Sequence, residues 1–446
     1  MENKYKYVLS LFNQIYHLET TAYELSYGID EKSKIQIKKG KVTFFDKHEE
    51  YNIRNVIWKE WNSVQIPFLF DERPDTEILT FSNGRVIINF DIIASSFFFL
   101  SSWQELSYNK GNDLCRFPFE ASIQYKLKII DKPIVNYYFE ILKEAIERAY
   151  SIKLKVSLWQ DKPFAAFISH DIDTCQSAWI QGSFRALLKG DIPSILKLLW
   201  LKTTGNDAWF NFDHILESER KDHIHSTFFF MSRKGKYGKF RNSDYNINNR
   251  KFRKVFDRIR ENDSEVGLHG SLGTCNDLNR YQEDVRQLKF KITGNRFHFL
   301  EFDTHNTLEI LEKSGIAFDS TLGFAEHYGF RNGICFPFFL YDVKNDKQSK
   351  ILEIPLVLMD GTLQNTKYMN LGNDQIETRL NELVKEVKKF NGLITILWHN
   401  THYSEYKYKG WGRIMEKIIR ICTENDSLFL NGSEIVQKYG NMLSST

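Results

Sequence analysis

Residues 167–173, Phe-Ile-Ser-His-Asp-Ile-Asp, place one imidazole and two carboxylates at the end of an apolar run. Phe164-Ala165-Ala166-Phe167-Ile168 reads as a buried strand, and Ser169-His170-Asp171-Ile172-Asp173 as the polar end it delivers. Three ionisable groups there are costly to desolvate unless a cation or hydrogen bonds compensate. Metal binding and acid–base catalysis are chemistries that use such a cluster. Asp171 and Asp173 lie two residues apart. An extended chain points both at one ion, whereas a turn leaves one as ligand and the other as base. The plainer alternative is an Asp that caps the following segment.

The same pattern returns further on. His269 follows Glu265-Val266-Gly267-Leu268, Arg296 and His298 lie in Asn295-Arg296-Phe297-His298-Phe299, and Asp319 sits in Phe318-Asp319-Ser320-Thr321. His399 ends Ile394-Thr395-Ile396-Leu397-Trp398 and precedes Asn400-Thr401-His402. In a parallel β/α architecture the carboxyl ends of strands share one face, so these residues converge. His269 beside the Asp pair predicts a zinc-type nitrogen–oxygen site. His399 is placed to act as a general acid or base, or to cap backbone groups.

From about residue 160 strand-like and helical patterns alternate. Ser226–Met231, Glu265–Leu268, Ala317–Thr321, Ile351–Met359 and Leu393–Trp398 read as strands. Asn211–Asp222, Phe252–Ile259, Leu278–Ile292, Thr307–Ser314, Gln375–Lys389 and Trp411–Thr423 read as helices. Roughly seven β-α units predict the α/β class: a distorted, seven-stranded (β/α) barrel over 160–440 with a smaller α+β domain, 1–155, before it. That first region carries short strand patterns at Glu77–Phe81 and Arg85–Asn89, a buried helix at Ile92–Leu100, an amphipathic helix near Ile134–Ala149, and no chemical motif. Residues 176–207 break the rhythm. Ile192-Pro193-Ser194-Ile195-Leu196-Lys197-Leu198-Leu199-Trp200-Leu201 is either a helical insertion over the barrel mouth or an interfacial segment making peripheral membrane contact.

With 60 basic and 57 acidic residues the net charge is +3, which gives no basis for nucleic-acid binding. Hydrophobic residues at 42% exclude wholesale disorder. The five cysteines are scattered without a CxxC pair and read as free thiols. The start of the sequence lacks the apolar core of a signal peptide and no stretch is long enough to span a bilayer, so a cytoplasmic protein is expected.

Taken together, Ser-His-Asp-Ile-Asp at 169–173, Ser-Thr-Phe-Phe-Phe at 226–230, Glu-Val-Gly-Leu-His-Gly-Ser at 265–271, Arg296, Asp319 and Ile-Leu-Trp-His-Asn at 396–400 resemble the polysaccharide deacetylase (NodB-homology, carbohydrate esterase family 4) pattern. The whole chain resembles bacterial two-part members that carry an uncharacterised N-terminal domain. The resemblance implies metal-dependent removal of an N-acetyl group from a sugar or glycan precursor, with zinc as the divalent ion. It implies Asp171 as base, Asp173 and His269 as ligands, Arg296 as the residue orienting the base, Asp319 as the acid tuning the last histidine, and His399 as general acid. It leaves Trp398, His298 and Tyr403 for substrate. The chain departs from the family in two places. Its aspartates are spaced Asp-x-Asp, as in related deformylases of lipid-linked aminoarabinose. Gly273 stands where the second metal histidine is expected, so His170, His298 or Asp277 must replace it, with His170 the assignment made. A non-catalytic carbohydrate-binding descendant and another C–N hydrolase such as a deformylase are the alternative expectations.

Overall fold

The computed structural model describes residues 1–443 apart from 20–21, 29–31, 48–49, 83, 109–113 and 157. The second half is built on one mixed, curled sheet. Its strands, numbered from the sheet's first, are β1 (Ala165–Ile172), β2 (Thr227–Phe230), β3 (Glu265–Gly270), β4 (Gly294–Phe297), β5 (Phe318–Asp319), β6 (Phe338–Asp342), β7 (Lys347–Glu353), β8 (Leu358–Met359), β9 (Leu393–Leu397) and β10 (Leu428–Phe429). The order is β6-β7-β5-β4-β3-β2-β1-β9-β8, with β10 also paired to β1. All pairs are parallel except β6 with β7. The long strand predicted over Ile351–Met359 is thus two strands at opposite ends of the sheet. β7 pairs with β5 and β8 with β9, so the few residues between them span the barrel's gap. The sheet has ten strands where seven were expected: Ile351–Met359 divides into β7 and β8, and β4, β6 and the two-residue β10 were not read as strands.

β1 runs four residues beyond its apolar stretch, through Ile172, and is buried throughout. Side chains alternate across a strand. Ser169 and Asp171 therefore face one side of the sheet and His170 the other. β4 begins at Gly294 because β5 packs Phe318 against it: a Cβ there would lie 1.9 Å from the Phe318 ring.

Residues 1–155 include the predicted helix Ile92–Leu100 and the helix Ile134–Tyr150. A four-stranded sheet contains Leu79–Ser82 and Arg85–Ile88. Their buried apolar side chains merge with those of the barrel into one cluster. Polar contacts tie the regions as well. Arg331 is 1% exposed and forms a two-pronged ion pair with Glu105, its Nε at 3.0 Å and Nη2 at 2.7 Å. Arg116 Nη1 donates to the Phe299 carbonyl at 3.2 Å, and Phe302 N to the Cys115 carbonyl at 2.6 Å. Glu105→Ala strands a buried guanidinium. Such a loss costs about 3–5 kcal/mol, to be read as a fall in the denaturant midpoint of unfolding. All five cysteines are free.

Candidate active site

Asp171, from the end of β1, Arg296 of β4 and Ser320 just past β5 meet inside the barrel. The Arg296 guanidinium is fully buried. Nη1 donates to Asp171 Oδ1 at 3.0 Å and to Ser169 Oγ at 2.8 Å. Nε donates to the Ser320 carbonyl at 2.7 Å and Nη2 to Ser320 Oγ at 2.8 Å. Nearly every donor of the fork is used, so its orientation is fixed and Asp171 inherits it.

Asp173 lies one step further along the chain, on the same side as Asp171. Its Oδ1 is 3.3 Å from His269 Nε2 and 3.5 Å from His298 Nδ1. The two ring nitrogens are 3.2 Å apart. Each histidine's other nitrogen faces a backbone carbonyl: His269 Nδ1 that of Arg296 at 2.8 Å, His298 Nε2 that of Arg241 at 3.1 Å. A carbonyl only accepts, so those nitrogens carry the protons. In the neutral rings the facing nitrogens are then lone pairs, and two lone pairs 3.2 Å apart repel. A positive charge between them removes the conflict. Asp173 Oδ1, buried and without a hydrogen-bond partner among the described residues, points at the same place. Bare nitrogens, an orphaned carboxylate oxygen and carbonyl-fixed tautomers suit a divalent ion with nitrogen and oxygen ligands. The electrostatics are mixed: burial pulls the His269 imidazole down, but Asp171 and Asp173 outweigh it and raise it. Burial pushes the Asp173 carboxyl up, but His298, His269 and His399 outweigh it and hold it far below the usual range. Burial, reinforced by His269, pushes His298 down to about 4, so it stays neutral and able to bind metal.

The position expected to hold the second metal histidine would take one only with strain. Gly273 has a left-handed backbone (φ +72°), and a Cβ would fall 2.4 Å from Tyr237. Its N–H is tied to Glu301 Oε2 at 2.9 Å. His298 Nδ1 instead stands beside His269 Nε2 and Asp173 Oδ1. The chain bends sharply beyond it through Phe299 and Leu300, both left-handed (φ 57° and 56°). Left-handed backbone costs a non-glycine residue roughly 1–2 kcal/mol. Such strain clusters at functional sites.

Two assignments need correction. His170 does not face Asp173. Strand alternation turns it toward the helices, where Nε2 meets Glu219 Oε1 at 2.8 Å and Nδ1 the Trp398 carbonyl at 2.9 Å. Both nitrogens are committed. Asp319 does not reach His399. It faces the helix layer, accepting from Asn295 Nδ2 at 2.6 Å and Thr321 Oγ1 at 3.0 Å, beside Tyr281 of the helix Leu278–Gln287.

The carboxylate against His399 is Asp360, which directly follows β8. Its Oδ1 is 2.7 Å from His399 Nδ1, and its Oδ2 accepts from the His399 N–H at 2.7 Å. His402 Nδ1 is 3.1 Å from Oδ2. Burial pulls the His399 imidazole down, but Asp360, with Asp173 and Asp171, raises it to about 10. His399 Nε2 lies 3.5 Å from Asp173 Oδ2, facing the metal cluster. Asp360, His399 and His402 also form a compact acid–imidazole group. There, however, Asp360 is engaged by N–H donors, including Gly361 N at 2.5 Å, so it is a charge pair rather than a set of open ligands. The signal for Asp360 was present: it is another carboxylate directly after an apolar strand.

Trp398 is fully buried against Trp411, ring centroids 5.9 Å apart, and serves the core. Tyr403 packs beside His170, ring centroids 5.8 Å apart, with its hydroxyl buried and without a hydrogen-bond partner among the described residues.

Residues 2–151 match the model of a family of unknown function, DUF7033. No curated protein sequence matches the chain. Solved structures similar to it include one described as a polysaccharide deacetylase from Mycobacterium smegmatis, at 14% identity and TM-score 0.44, covering 65% of this chain and 94% of that one. Another, from Pseudomonas aeruginosa, is 12% identical with TM-score 0.41, covering 63% and 92%. A CE4 family pseudoenzyme from Bacillus anthracis is 12% identical with TM-score 0.31, covering 62% and 66%.

Proposed function

We propose that the chain is a divalent-metal-dependent hydrolase that removes the acetyl group from an N-acetylated sugar or glycan precursor, with residues 160–440 as the catalytic unit and 1–155 as a supporting domain. The observation that carries this reading is the convergence of His269 Nε2, His298 Nδ1 and Asp173 Oδ1 beside the Arg296-anchored Asp171. The motifs resembling polysaccharide deacetylases supply the substrate class. Asp173, His269 and His298 would hold the ion, taken as zinc from its nitrogen–oxygen donors. A bound divalent ion supplies Lewis acidity and lowers the pKa of a coordinated water. Asp171 is the base: it takes the proton of the attacking water through a carboxylate that Arg296 holds in place. His399 is the acid. Kept protonated by Asp360, it delivers a proton to the departing sugar amine, which leaves poorly as an anion. Five unpaired thiols suit a reducing compartment, the cytoplasm.

Acetate release tests the reading. Protein incubated with zinc or cobalt and an N-acetylglucosamine oligomer is expected to release acetate and leave free amine. Formate release from an N-formyl sugar, with no acetate from the oligomer, would replace deacetylation by deformylation. No product with either would support a binding protein.

Asp360→Asn removes the charge that raises the His399 pKa. The imidazole then loses its proton at lower pH, so the alkaline limb of kcat should shift toward neutrality. At pH 8 kcat should fall by about 10²-fold, the lower end of what a general acid contributes. The pH–rate profile of the variant checks this; an unmoved alkaline limb would remove Asp360 from the account.

A further inference from the structure

Residues 178–203 form a helical hairpin, α1 (Ala178–Leu188) and α2 (Ile192–Thr203), inserted directly after the Asp171–Asp173 strand end. Its two faces are reversed relative to an ordinary surface hairpin. Small residues, Ala178, Gly182 and Ala186, recur every fourth position on the inward face of α1 and are largely covered. At Gly182 a Cβ would meet Leu198 of α2 at 2.8 Å. The large apolar side chains point outward: Phe184, Leu187 and Leu188 from α1, Ile192, Leu196 and Trp200 from α2, all between 52% and 67% exposed. Within each helix their spacing of three, four or eight makes one stripe. Concentrated exposure of this kind marks a surface that meets a partner or a membrane.

The charges choose between occupants. Arg185, Lys189, Lys197 and Lys202 punctuate the stripes, and Asp191 is the one acid in 178–203. Asp191 is engaged locally, accepting from Ser194 N at 3.1 Å and Ser194 Oγ at 2.7 Å. A second copy would bring the same cations face to face. An anionic bilayer instead neutralises them and receives the apolar stripes between its headgroups. Trp200 and Phe184 are the aromatic anchors such a surface favours.

The hairpin is fastened to the site. Leu198 packs with Ala178 and Trp209, and Tyr406 lies against them. Lys407 Nζ donates to Gln181 Oε1 at 3.0 Å. Asn400 Nδ2, beside His399, donates to the Trp209 carbonyl at 2.7 Å.

We infer that α1 and α2 dock the protein on an anionic lipid surface, so that its substrate is an N-acylated sugar carried on a lipid; the substrate part rests on the hydrolase reading. Flotation of the full chain with vesicles tests the docking without any activity readout. Binding to phosphatidylcholine vesicles containing phosphatidylglycerol, weakened by salt and weak on phosphatidylcholine alone, is expected. Phe184→Ser with Trp200→Ser should reduce it by about tenfold or more, and Lys189→Glu with Lys197→Glu by about 30-fold or more, since each basic residue lost near such a surface costs about fivefold. All four side chains are exposed, so both variants should keep the wild-type unfolding midpoint. No binding to the anionic vesicles overturns the proposal. So does binding that both variants retain, or a dimer in sedimentation that Phe184→Ser with Trp200→Ser dissolves. Vesicle binding without hydrolysis of any N-acyl sugar leaves the docking standing and removes only the catalytic reading.

Discussion

Asp171→Asn should abolish turnover while leaving the protein folded and its metal site loaded. The amide oxygen still accepts from Arg296 Nη1, now 3.0 Å from Asp171 Oδ1, so the buried guanidinium keeps a partner. The proposed metal ligands are Asp173, His269 and His298, and Asp171 Oδ2 stands 3.6 Å from the nearest of these ring nitrogens. Zinc affinity should therefore change by no more than about tenfold, below the 10–100-fold typical of disrupted partner groups around a site. The loss falls on proton transfer. An amide cannot take the water's proton, and general-base catalysis contributes about 10²–10⁴-fold. The expected signature is a collapse of kcat with KM little changed, and cooperative unfolding retained. A variant with wild-type kcat would remove Asp171 as base. A variant that loses zinc would make it a ligand instead.

His298→Ala should lose the metal. The remaining pair, Asp173 and His269, gives two donors where tetrahedral sites use three or four protein ligands. Disrupting even an outer partner costs about 10–100-fold in affinity, and removing a direct ligand should exceed the upper end of that range. Calorimetric zinc titration checks it, with activity falling in parallel and returning in part at high zinc. His170→Gln is the matched control. Its ring is spent on Glu219 and the Trp398 carbonyl, so this change should lower stability and leave zinc affinity untouched. The reverse pattern would restore His170 as the ligand.

The contrast between His170 and His298 shows what the residues disclosed and what they hid. The strand-end clusters were legible, because apolar runs that stop at ionisable residues are visible without a structure. Which side of the strand each residue faced was not, because the apolar run stops at Ile168 while β1 continues to Ile172. Once the strand includes Asp171, alternation sends His170 to the helices and keeps Asp171 inside. Asp319 failed in the same way. It shares a side of the sheet with Asn295, whereas Ser320 turns inward to Arg296. Asp360 was missed although it directly follows a strand, because Ile351–Met359 reads as one run and is divided between strands near opposite ends of the sheet. The β/α rhythm was readable from periodicity. The β6–β7 hairpin and the short β10 were not, since tertiary pairing rather than local pattern creates them.

Crystals of the full chain soaked in zinc and measured at the zinc absorption edge test the central claim most directly. The account predicts an anomalous peak bounded by Asp173 Oδ1, His269 Nε2 and His298 Nδ1, near the Arg296-held Asp171 carboxylate. A peak between Asp360, His399 and His402, or no peak at a zinc concentration that saturates binding in solution, would contradict it.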